Sequence, residues 1–176
     1  MLYADERLGL DEFGFGLLLS AAAVGGMLGA VSYGWLERHV SLGNLMRMAL
    51  LYETFMHLGL GLSTVPAISM LLLFGFGFQS TLWGTTATAI RQRAVPENLQ
   101  GRVGSVYLVG VFGGLVVGNA LGAVIAGVWG VLGALWFAFG GSAVMLAILW
   151  HQLPRVAHAD ALNQAGNEAA QSQQST

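Results

Sequence analysis

The sequence predicts an all-α, polytopic membrane protein with five transmembrane helices, and three observations carry that reading. Its 176 residues are 9% charged and 55% hydrophobic, with seven arginines, no lysine and nine acids, where an ordinary soluble domain carries about 25% charged residues. The charges also avoid long stretches. Of them all, only Glu53 falls inside the runs 13–36, 48–64, 67–90, 103–129 and 131–150. The 26 glycines sit largely within these apolar runs and follow no collagen-like period, a habit of membrane helices.

Each run is judged by length. A helix needs about 20 mostly apolar residues to cross the hydrocarbon core, where only helices and closed barrels satisfy their backbone polar groups. A barrel strand alternates apolar with polar residues over about ten positions. Runs such as Leu17-Leu18-Leu19-Ser20-Ala21-Ala22-Ala23 are apolar all round, which excludes the barrel. Residues 1–12 hold Asp5, Glu6, Asp11 and Glu12 against the single Arg7. A signal peptide starts with positive charge, so the first run is expected to be a span and not a leader.

The arginines set the orientation, because Lys and Arg collect in cytoplasmic loops close to span ends. Arg38 and Arg47 fall in the first loop, Arg91, Arg93 and Arg102 in the third, and Arg155 follows the last run. Val65-Pro66 and Gly130 form short uncharged connections on the opposite side. The N-terminus is therefore expected outside and the C-terminus in the cytoplasm, with Trp35, Trp129 and Trp150 in the interfacial belts. Residues 156–176 turn to Ala, Gln, Asn and Ser without periodicity and read as a disordered cytoplasmic tail. A net charge of −2 and the absence of cysteine offer no basic field for nucleic acid and no thiolate metal site.

Packing faces are marked by small residues. Gly110, Gly114, Gly118 and Gly122 recur every four residues on the fourth run, and Ala21, Gly25 and Gly29 do so on the first. Faces without bulky side chains let helix backbones approach where no hydrophobic force drives association.

The third loop, Val95-Pro96-Glu97 followed by Gly101-Arg102-Val103 and Ser105, resembles the cytoplasmic loop before the eleventh helix of major facilitator superfamily transporters, in the efflux branch that includes macrolide and siderophore exporters. Gln100 stands where that branch usually has its first arginine. Gly34-Trp35-Leu36-Glu37-Arg38 with Gly43 and Arg47 is similar to the superfamily's loop after the eighth helix, with the acid displaced by a residue. Leu8-Gly9-Leu10 through Gly16-Leu17-Leu18-Leu19 resembles the exit of the seventh helix and the start of the eighth. The resemblance covers residues 1 to about 155. It implies a partial C-terminal bundle lacking its first helix, and a proton-driven efflux transporter of the cytoplasmic (inner) membrane working by alternating access. It implies a lipid bilayer, a small-molecule substrate and the N-terminal half as partners, no bound cofactor, and no transport by these five spans alone. The glycine faces are expected to be interfaces awaiting that other half. A second reading from another class is a non-transporting five-span interaction protein or a truncated product without function.

Candidate site residues follow from polarity inside the spans. An ionised group at helix centre costs about 2.5 to 3.5 kcal/mol of insertion free energy, so Glu53 demands an explanation. His57 lies one turn on, and the pair reads either as a proton-coupling element or as a structural hydrogen bond. Gln79, Trp83 and Thr86 form a polar and aromatic line on the third run, suited to a substrate cavity or to interhelical bonding. In the loops, Arg38, Glu97 and Arg102 are the gating candidates by resemblance. No enzymatic motif is present: Gly75-Phe76-Gly77 lacks the third glycine of a dinucleotide fingerprint, and His39, His151 and His158 have no acid or thiol at ligand spacing.

Overall fold

The computed structural model describes residues 1–153, so the expected tail at 156–176 and Arg155 lie outside the described residues. The element order is α1 (Leu2–Leu8), α2 (Glu12–His39), α3 (Leu42–Leu62), α4 (Pro66–Ala94), a 3-10 turn at Glu97–Leu99, and α5 (Gln100–Trp150). The described residues contain no strand, and the fold is an all-α membrane-type bundle.

The boundaries sit where the chemistry places them. Asp11 caps α2, its carboxylate accepting from the Gly14 amide at 2.8 Å, which satisfies one of the helix's unpaired N–H groups. Arg38 sits in the last turn of the same helix, where positive charge complements the dipole. Pro66 opens α4 at a position that needs no amide hydrogen. Val95, whose helical conformation is disfavoured by the following Pro96, is extended and ends α4.

The 51 residues of α5 would make a rod of roughly 76 Å at 1.5 Å per residue, far beyond a hydrocarbon core of about 30 Å. Gly130 resolves the mismatch with φ 73° and ψ 176°, a conformation open to glycine because it has no Cβ. The chain reverses there. Tyr107 lies under the Arg91 guanidinium, 4.2 Å from ring centroid to Cζ. On the return segment, Trp136 lies over Gly61, and the Trp150 carbonyl accepts from Arg47 at 2.9 Å. Residues 131–150 therefore run antiparallel to α3.

Where the sequence predicts five spans, three helical stretches stand out by length and apolarity: α2, α4 and the whole of Glu97–Trp150, which Gly130 divides in two. The shorter α3 is not among them, because Asn44, Arg47, Glu53 and His57 interrupt its 21 residues. It is also the helix most enclosed by its own chain. Leu42, Leu45, Ala49, Leu50, Met56 and Leu60 are all buried, since α4 and the return segment of α5 pack against it. A helix too polar to face lipid everywhere is thus placed between two more apolar ones.

The closest helix pair is α2 with α4. A Cβ on Gly25 would overlap the Phe74 carbonyl, and one on Gly77 would overlap the Ala22 carbonyl. The two backbones are in contact, each filling the gap left by the other's glycine. At the Arg-poor end, α1 lies across the bundle with Ala4 and Leu8 buried against Leu18. Tyr3 donates its hydroxyl hydrogen to the Leu60 carbonyl at 3.0 Å, and Arg7 donates to the Gly61 carbonyl at 3.3 Å.

Candidate functional site

The side chain of Glu53 leaves α3 near its middle and meets α4. Gln79, only 5% exposed, donates from Nε2 to Glu53 Oε2 at 2.6 Å. Two groups that the sequence treats separately, the Glu53–His57 pair and the Gln79–Trp83–Thr86 line, are joined at this contact. His57 does not reach the carboxylate by a hydrogen bond. Its Nδ1 lies 2.8 Å from the Glu53 backbone carbonyl, and since a carbonyl only accepts, Nδ1 carries the hydrogen. An i to i+4 side chain on a helix is placed to return to that carbonyl, as Thr54 does to Leu50 at 2.9 Å.

A cavity of about 210 Å³ adjoins this contact. Leu36 of α2 with Val40 just beyond its end, Ala49 and Tyr52 of α3, and Phe78 and Gln79 of α4 form its walls. Tyr52 is held in place by donating to the Leu72 carbonyl at 2.8 Å, and it fits beside α4 because Gly75 has no side chain to obstruct the ring. Of the three residues in the polar line, Gln79 borders the cavity and Trp83 and Thr86 do not. Trp83 is half-buried. Thr86 is fully enclosed, and its hydroxyl has no hydrogen-bond partner among the described residues.

The loop candidates Arg38, Glu97 and Arg102 are all exposed, and the structure does not bring them together. Glu97 begins the 3-10 turn that leads into α5. The ion pair among the described residues is Arg93–Glu37 at 2.6 Å, linking the ends of α4 and α2. Its members lie beside residues noted in sequence: Glu37 immediately precedes Arg38, and Arg93 shares the last turn of α4 with Arg91. Both side chains are about a third exposed, and such pairs contribute at most about 1 kcal/mol. A double-mutant cycle of Glu37→Gln and Arg93→Gln, followed by thermal unfolding in detergent, should give a coupling energy below about 1 kcal/mol. A larger value would make this contact a principal clamp between α2 and α4.

The glycine faces differ in what meets them. Gly25 and Gly29 face α4, where a Cβ on Gly29 would come 2.7 Å from the Phe78 carbonyl oxygen. The first run's small face is occupied within the chain and not left open. Around Gly110, Gly114, Gly118 and Gly122 a Cβ would meet nothing within 4 Å, and Ile125 is the one buried residue described in α5.

The fold and this arrangement define a polytopic helical membrane protein in which a carboxylate of α3 is directed at a neighbouring helix. The chain belongs to the transmembrane secretion effector family, whose model matches residues 1–175. The family is of major facilitator type, and the chain's function is accordingly of a transporter type in a membrane. Neither a curated protein nor a solved structure matches the chain.

Proposed function

We propose that the chain supplies one half of the pathway of a proton-coupled exporter that moves a small molecule outward across the cytoplasmic membrane by alternating access. The observation that carries this reading is the Glu53–Gln79 contact in a member of this family. An ionisable group inside a span marks, by default, an ion or substrate pathway, and this one stands beside a cavity. Secondary transporters of this kind rock two repeats around a midplane site. The face lined by Gly110, Gly114, Gly118 and Gly122, open along its length, is where a second bundle supplied by an N-terminal half would pack. In this reading Gln79, Trp83 and Thr86 contribute to the substrate path, Glu53 takes and releases the proton, and Arg38, Glu97 and Arg102 stay at the cytoplasmic surface to respond to movement between the halves. Their exposure leaves them free to engage another bundle. The family match favours transport over a purely adhesive five-span protein.

The test uses everted vesicles from cells making the protein with its N-terminal half, energised by respiration, with erythromycin as the macrolide probe. Adding the drug should collapse part of an acridine-reported proton gradient, and the chain expressed without a partner half should give no response. Trp83→Ala is expected to shift the relative response to erythromycin and to a smaller lipophilic drug by at least about threefold, at unchanged membrane level. Loss of the protein from the membrane instead would make Trp83 a packing residue.

A further inference from the structure

The cavity between α2, α3 and α4 has a chemistry of its own. At about 210 Å³ it exceeds the roughly 150 Å³ apolar cavity that admits benzene, so it has room for one aromatic ring with a short chain. Its walls are aliphatic and aromatic, with Gln79 the polar exception apart from the Tyr52 hydroxyl, and that hydroxyl is occupied by the Leu72 carbonyl. A guest must therefore present an apolar body.

The charge at its edge is unbalanced. Glu53 is not itself a wall residue, but it lies one turn beyond Ala49 and its carboxylate meets Gln79, both of which line the space. Among the described residues its carboxylate has no ion-pair partner. One oxygen accepts from the neutral Gln79 amide, and the nearby His57 is turned back to the helix backbone. A carboxylate at membrane depth gains most from a cation that brings its own apolar surface. Gln79, having spent Nε2 on Glu53, still offers its amide oxygen to an ammonium hydrogen. The rings of Tyr52 and Phe78 add the negative faces that attract cations. An anion would be repelled by Glu53, and a metal ion would require several oxygen ligands where one carboxylate stands.

We propose that this cavity binds a small lipophilic amine, its ring among Leu36, Tyr52 and Phe78 and its ammonium against Glu53. This rests on the transport reading and names the substrate class for it.

The test is equilibrium binding to the full chain in lipid nanodiscs, with phenethylamine as the probe and 2-phenylethanol as its neutral counterpart of equal shape. The amine is expected to bind at least tenfold more tightly, about 1.4 kcal/mol. Glu53→Gln should remove that preference while leaving the alcohol's affinity unchanged, and Ala49→Leu, which fills the cavity, should weaken both. Equal affinities in the unmodified chain would overturn the proposal and leave an apolar groove suited to a lipid tail. A preference that survives in Glu53→Gln would place the amine elsewhere and overturn it too, as would binding of neither probe. Should the variants fail to fold, the comparison of the two probes on the unmodified chain decides by itself. Since binding is measured without a gradient, amine bound but not moved in vesicles would break the transport reading and leave the site standing.

Discussion

Gly77→Ala is expected to destabilise the detergent-solubilised chain by about 2 kcal/mol or more, whereas Gly118→Ala leaves it unchanged or slightly more stable. Alanine gains about 1 kcal/mol over glycine in a helix interior, so the sign at each site depends on what the new methyl meets. At Gly77 it meets the Ala22 carbonyl, and behind that the Gly26 amide nitrogen at 3.0 Å. These are backbone atoms of a 28-residue helix and cannot rotate aside. The two helices must separate, which reduces the dispersion contacts along their shared length and outweighs the propensity gain. Gly25→Ala should behave alike from the other side, through Phe74. Around Gly118 a methyl meets nothing within 4 Å, so only the propensity term remains. Tryptophan-fluorescence melting curves of the three variants decide it. Equal melting of Gly77→Ala and the unmodified chain would mean that α2 and α4 are not in backbone contact. Should Gly118→Ala be silent in the single chain yet abolish transport when the N-terminal half is present, the open α5 face would be the surface on which that half packs.

The same glycines show what was legible in sequence. Helix positions were readable because charge, proline and glycine act locally. Pro66 and Pro96 mark ends that any neighbour arrangement would respect, and Gly130 marks a reversal even though the helical pattern continues on both sides. Spacing also identified a small face at Gly25 and Gly29. What it did not identify was the occupant. The complement is Gly77, within a Gly75-Phe76-Gly77 segment whose sequence alone reads only as an incomplete nucleotide motif. Periodicity gives the direction of a side chain around its own helix axis, but not how far the neighbouring helix is rotated. That rotation pairs Glu53 with Gln79 rather than with His57, and it depends on contacts between helices, such as Tyr52 against Gly75. For the same reason the Glu37–Arg93 pair is not legible in sequence: several charges near the helix ends are suitable, and only the alignment of the α2 and α4 ends selects among them.

Glu53→Gln should lower proton-driven efflux at least tenfold while leaving the amount of protein in the membrane unchanged. The substitution is chosen for what it preserves. Glutamine has nearly the helix propensity of glutamate, and its Oε1 can accept the Gln79 hydrogen that Glu53 Oε2 accepts at 2.6 Å. It removes only the charge and the capacity to bind a proton. Glu53→Ala makes a different change: it strands the Gln79 Nε2 donor in a site where the residue is 5% exposed, and an unpaired buried amide costs about 1 to 3 kcal/mol. Membrane level should therefore fall in the alanine variant and not in the glutamine variant. His57→Ala removes one bond to a carbonyl that the helix ladder already engages, and its effect on level should stay within about 0.5 kcal/mol of stability. Transport rate normalised to immunoblotted protein separates the roles. If the carboxylate were only a structural partner for Gln79, the glutamine variant would export at the full rate and the alanine variant would lose activity in proportion to its protein. If the carboxylate carries the proton, the glutamine variant loses transport at full abundance, a combination that a defect in packing does not produce.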